Sequence, residues 1–113
     1  KGMGLGMDAA KTGAPASDIA AAINGTLIEA GYEDYCRPPF MRVRGHGLGC
    51  GSFAPGSLED GNKTKLEEGM TFIIHPNQYI PETGYLTLGD TVVMGPTKAE
   101  SLMRSSWDIF VKE

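Results

Sequence analysis

The chain has two histidines, His46 and His75, and they are the side chains best suited to chemistry near neutral pH. An imidazole in this position can orient an oxyanion or carry a proton. His46 lies in Arg44-Gly45-His46-Gly47-Leu48-Gly49, where glycines alternate from Gly45 to Gly51. Missing Cβ atoms let such a backbone turn sharply and bring a ligand close. The plainer alternative is a histidine that only satisfies backbone groups in a glycine-rich turn. His75 ends the apolar run Phe72-Ile73-Ile74 and could equally be a hydrogen-bonded core residue. Cys50 is near His46 in sequence, but no acid is placed to orient a cysteine–histidine pair, so a thiol nucleophile is not the expectation.

These residues need elements to hold them. Ser17 as N-cap, Asp18 in the first turn, and Ile19, Ala22, Ile23, Leu27, Ile28 and Ala30 at helical spacing predict a helix from about Ser17 to Ala30, closed by Gly31. Lys1 to Thr12 reads as the last turns of a helix ending near Gly13. Pro38-Pro39 bars a helix. Phe40 to Arg44 alternates and predicts a strand whose Arg42 and Arg44 are solvated or paired with carboxylates rather than recognising an anion. Ser52 to Lys65 predicts a surface loop, and Phe72 to Ile74 a strand. Tyr85 to Met94 predicts one long strand with a bulge or bend at Gly89, and Glu100 to Arg104 a short strand or helical turn. Trp107, Ile109, Phe110 and Val111 form an apolar tail that needs cover. Helix followed by strands without βαβ alternation predicts α+β with an antiparallel sheet.

A chain of 113 residues is one domain or part of one. A net charge of −4 without a basic run argues against nucleic acid. The apolar runs are too short to span a membrane, and the glycine-rich start does not read as a secretory signal. Cys36 and Cys50 are expected as free thiols in a reducing cytoplasm.

As a set, Gly45-His46-Gly47, Leu66-x-x-Gly69-Met70-x-Phe72 and Gly84 to Met94 resemble the creatinase and Xaa-Pro aminopeptidase superfamily over roughly Ala9 to Val93. The resemblance implies the pita-bread fold, a curved antiparallel sheet backed by helices, with residues 1–113 forming mainly its C-terminal half. It also implies a site. Metal-dependent members hold two divalent ions on two aspartates, the Gly-His-Gly histidine and two glutamates, and a further histidine assists. Here His46 matches the first histidine and Phe53 occupies the place of the second. His75 stands at the first glutamate position, with Pro76 and Tyr79 in their expected places, and Gly89 stands at the second acid, ahead of Asp90-Thr91-Val92. The two aspartates would come from upstream of Lys1.

Two hard cations need several anionic oxygens to offset their repulsion. An imidazole, a hydrogen atom and a benzyl ring replace two carboxylates and a proton shuttle. With the upstream aspartates restored, a single Zn²⁺ is compatible with such a set and the dinuclear centre is not, so no cofactor is expected, with a single divalent metal left open. Creatinase, in the same superfamily, hydrolyses a carbon–nitrogen bond without metal. The expectation is a C–N hydrolase of a small amide, amidine or imino-acid substrate, with His46 and His75 handling protons and Phe53 and Tyr79 lining an apolar wall. Strand period places Asp90 on the opposite face from residue 89. The alternative is a non-catalytic relative acting as a binding or dimerisation module. Expected partners are a small-molecule substrate, a second copy of the chain, and the N-terminal half of the domain.

Overall fold

The computed structural model describes residues 1–50 and 53–112; Gly51, Ser52 and Glu113, and with them the ends of the glycine alternation and of the expected loop, lie outside the described residues. Helix α1 covers Gly2–Ala9 and helix α2 covers Ser17–Glu29. A single 3₁₀ turn, Glu33–Tyr35, follows. The strands are β1 Gly45–Gly47, β2 Thr71–Ile74, β3 Gln78–Ile80, β4 Gly84–Leu86, β5 Asp90–Met94 and β6 Ala99–Ser101. The order β1-β2-β5-β6 makes one antiparallel sheet, and β3-β4 is a separate hairpin. No helix among the described residues is long and apolar enough to cross a membrane.

One face of the sheet is apolar because the strand period puts Phe72, Ile74, Val92 and Met94 on it, all buried. They meet Ile19 and Ile23 of α2 and Met3 of α1. The helices come close where α1 carries Gly6: a Cβ there would lie 3.0 Å from Ile23 Cδ1 and 3.3 Å from Ile74 Cγ2. The other face carries the row His46, Ile73 and Thr91, set by the register of β1, β2 and β5.

The predicted helix over Ser17–Ala30 is present, and Gly31 closes it at φ +89°. Its N-cap differs from the expectation. Ala16, not Ser17, occupies that position, with no side-chain cap. Carbonyls of the 57–66 loop do the capping: Ala16 N donates to Thr64 O at 2.9 Å and Ser17 N to Asn62 O at 3.0 Å. Helix α1 ends at Ala9, short of Gly13, since Ala10 to Thr12 leaves to pair beside β6 through Ala99 N to Ala10 O and Thr12 N to Thr97 O.

Three further expectations are corrected. Phe40 to Arg44 is not a strand: Phe40 N and Met41 N both donate back to Arg37 O, leaving no ladder. The loop expected over Ser52 to Lys65 is, among its described residues, not wholly superficial, because Leu58 is fully buried, Pro55 is buried and Ser57 bridges to His46. The long strand over Tyr85 to Met94 is two strands in two sheets. Its break at 87–89 is fixed by Leu88 N donating to Asn77 Oδ1 at 2.9 Å. β3 was not expected, and β6 realises the short strand near Glu100.

Candidate functional site

The Gly-His-Gly segment is glycine on both sides because nothing larger fits. A Cβ at Gly45 would sit 2.0 Å from Ile73 O and 2.6 Å from Leu58 Cδ1; one at Gly47 would sit 2.0 Å from Phe53 O. Both glycines are buried and His46 between them is exposed, as a period of two requires. His46 Nδ1 lies 3.0 Å from Gly47 O. A carbonyl oxygen only accepts, so the neutral tautomer that fits this contact carries its proton on Nδ1 and its lone pair on Nε2.

His75 follows β2, and its backbone N donates to Arg44 O at 2.9 Å. That bond ties the second histidine to the residue before Gly45. The two rings meet edge to face, with centroids 5.8 Å apart. His75 Nδ1 is buried without a hydrogen-bond partner. Burial first, then the nearby His46 and Arg44 charges, push the His75 pKa down from its ordinary value, against a backbone hydrogen bond that raises it. The shift favours the neutral imidazole of His75.

Gly89 lies on the same face. A Cβ built on it would lie 3.2 Å from Ile73 Cδ1 and 3.6 Å from His75 Cβ. An open depression of about 260 Å³ beside His75 is lined by Ile73, Asn77, Thr87, Leu88 and Gly89. Neither Phe53 nor Tyr79 is in that lining. Phe53 is 64% exposed on the loop packed against Gly47. Tyr79 stacks on Phe40 at 5.1 Å and tilts against Tyr35 at 5.5 Å, in an aromatic cluster of its own.

Asp90 faces away from the histidines, as the strand period predicts, and is buried in the row of Ile74. Its Oδ2 accepts from Ser101 Oγ at 2.7 Å and Trp107 Nε1 at 2.8 Å, while Oδ1 has no partner. Trp107 is thereby anchored, whereas Ile109, Phe110 and Val111 are exposed. Among the described residues no three His, Cys, Asp or Glu side chains converge where they could hold a metal ion. Both cysteines are free.

The residue that sequence reasoning placed wrongly is Arg44. It is 1% exposed, not solvated, and has no carboxylate partner among the described residues. Its Nε donates to Asn24 Oδ1 at 2.7 Å, one η nitrogen to Asn77 O and the other to Gln78 Oε1 at 3.0 Å. Asn77 and Gln78, also missed, thus bind the exit of the His75 strand to α2. The one local signal was a basic residue between an apolar segment and a buried glycine.

The profile of Metallopeptidase family M24 matches residues 1–96. The chain belongs to this family. The putative dipeptidase YkvY of Bacillus subtilis is 32% identical over 105 residues, 93% of this chain and 28% of that protein. A Xaa-Pro dipeptidase of Lactobacillus delbrueckii is 36% identical over 88 residues, 78% of this chain and 23% of that protein. The prolidase from Pyrococcus furiosus superposes with a TM-score of 0.80 at 30% identity, over 93% of this chain and 30% of that structure. The pita-bread fold predicted from the motifs is thereby established, and the chain spans under a third of these relatives.

Proposed function

We propose that residues 1–113 are the C-terminal part of the catalytic domain of a hydrolase that cleaves a C–N bond in a small amide, amidine or imino-acid substrate, without a dinuclear metal centre. The observation that carries it is the composition of the face around His46. The sheet offers an imidazole at 46, an imidazole at 75 and no side chain at 89 on one face, with His75 and Gly89 lining the depression and the His46 ring 5.8 Å from that of His75. Two neutral nitrogen donors and no carboxylate do not fit a pair of divalent cations. They do fit proton handling. His46 Nε2 has a free lone pair towards solvent and accepts a proton from the attacking group. His75, kept neutral by burial and by the charges beside it, polarises or steadies the other side of the reacting centre. Phe53 supplies apolar contact for the substrate from the loop above Gly47. Tyr79 does not, since its ring is spent on Phe40 and Tyr35.

Names of the relatives support the class: dipeptidases that carry the same fold. On this reading the protein works in the cytoplasm, and the chain pairs with a second copy and with the N-terminal half of the domain. The test is hydrolysis of N-acyl imino acids, small amides and amidines by the purified protein in excess chelator. Activity that survives chelation and falls at least about a hundredfold in His46→Ala supports the proposal. Activity that needs added metal, or is indifferent to both histidines, refutes it.

One observation favours a non-catalytic binding or dimerisation module instead: Ile109, Phe110 and Val111 are 90%, 79% and 80% exposed beyond the anchored Trp107. Such a run is a contact surface for another chain. Complete inactivity of the purified protein, with a dimer that dissociates when Ile109 and Phe110 become serine, selects that reading.

A further inference from the structure

A second cavity, of about 250 Å³, opens between α2, the 36–44 segment and residues 58–60. Its lining includes Cys36, Arg42, Arg44, Leu58, Glu59 and Asp60. The buried member of that lining carrying a charge is Arg44, and its three hydrogen bonds go to amide oxygens of Asn24, Asn77 and Gln78. All three acceptors are neutral. Each nitrogen makes one of these bonds and each η nitrogen carries a second N–H, part of which is directed to the Cys36 thiol, itself a weak and neutral acceptor. Cys36 does not supply the missing negative charge: burial above all raises its pKa, outweighing the pull of Arg44, so it stays a thiol. A cation held in the interior by neutral groups alone is unfavourable unless an anion joins it.

We propose that this cavity is a binding site for a small carboxylate, a monoanion whose oxygens pair with the remaining η N–H of Arg44 and whose body rests on Pro38 and Met41. The planar fork of a guanidinium matches a carboxylate. At the mouth, exposed Glu59 and Asp60 offset exposed Arg37 and Arg42, which leaves the single charge of Arg44 to be matched and favours a monoanion over multiply charged anions such as phosphate. At about 30 Å³ per water-sized group, the cavity accommodates up to about eight non-hydrogen atoms, the range from acetate to a small amino acid. The site is separate from the histidine face and does not depend on its chemistry.

Cys36 lines this cavity and Cys50 is exposed elsewhere, so the protein carries a reporter and a control. Maleimide labelling of both thiols is followed by mass spectrometry in sodium acetate, with sodium chloride at equal ionic strength and acetamide as comparisons. Labelling of Cys36 slows by about tenfold once acetate reaches about ten times its Kd, and Cys50 is unaffected. Arg44→Met abolishes the protection. Ala20→Val, which narrows the cavity from α2 with Arg44 in place, weakens it and serves if Arg44→Met does not fold. Equal protection by chloride or acetamide, no protection at all, or protection that survives Arg44→Met or Ala20→Val overturns the site.

Discussion

Gly89→Glu puts a carboxylate on the sheet face that carries both imidazoles. The backbone tolerates it, because a Cβ at 89 meets only the flexible end of Ile73, at 3.2 Å, and the Cβ of His75 at an ordinary 3.6 Å. Ile73 has to give a few tenths of an ångström, so unfolding free energy stays within about 1 kcal/mol of the parent. The electrostatic effect is larger than the steric one. A carboxylate about 5 Å from an imidazolium, at an effective dielectric of about 20, is worth about 3 kcal/mol, and solvent at the open depression reduces this to about 1 kcal/mol. That attraction favours protonated His75 and opposes the burial and the neighbouring charges that lower its pKa. NMR titration of the ring resonances reads it directly: the His75 midpoint rises in Gly89→Glu. A folded variant in which the His75 midpoint does not move would show that residue 89 does not face that ring, and the geometry of the site would be wrong.

Other perturbations follow from the same contacts. Stability depends on pH through His75: its folded pKa is depressed below the unfolded value of about 6.5, so the unfolded chain takes up the proton first. Stability is therefore full above that value and declines as pH falls through it towards the folded pKa, and urea melts from pH 7.5 to pH 5 should show a slope that His75→Gln flattens. Gly47→Ala drives a methyl to 2.0 Å from Phe53 O, so the loop must move; loss of the nuclear Overhauser contact between the His46 and His75 rings reports it. Trp107→Phe removes one of two donors to the buried Asp90 carboxylate and lowers unfolding free energy by about 1–2 kcal/mol in guanidinium melts. Leu58→Ala, at a fully buried position between β1 and α2, costs about 2–5 kcal/mol by the same assay.

What the amino-acid order reveals here is what short-range spacing decides. The helix over Ser17–Ala30 shows in its apolar period, and the strand over Phe72 to Ile74 in its β-branched run. The glycine-flanked His46 shows in a motif whose steric reason the structure supplies. Arg44 was hidden because its acceptors lie 20, 33 and 34 residues away, and no local pattern announces them. The segment from Phe40 alternated like a strand, but its amides found Arg37 O first. β3 is three residues long between Pro76 and Pro81, too brief for a period to register. The motif put His75 in the site with His46, and their rings do meet; it also put Tyr79 on the substrate wall, but no local pattern showed that its ring is claimed by aromatic neighbours from the 35–40 segment.

The central claim concerns charge: a face built from His46, His75 and Gly89 lacks the anionic oxygens that two divalent cations require. Metal content of the purified protein, measured by inductively coupled plasma mass spectrometry after dialysis against buffer without chelator, tests it most directly. Fewer than two equivalents per chain, with no manganese, cobalt or zinc pair retained, is the predicted result. Two tightly held equivalents per chain, lost together in His46→Ala, would contradict it.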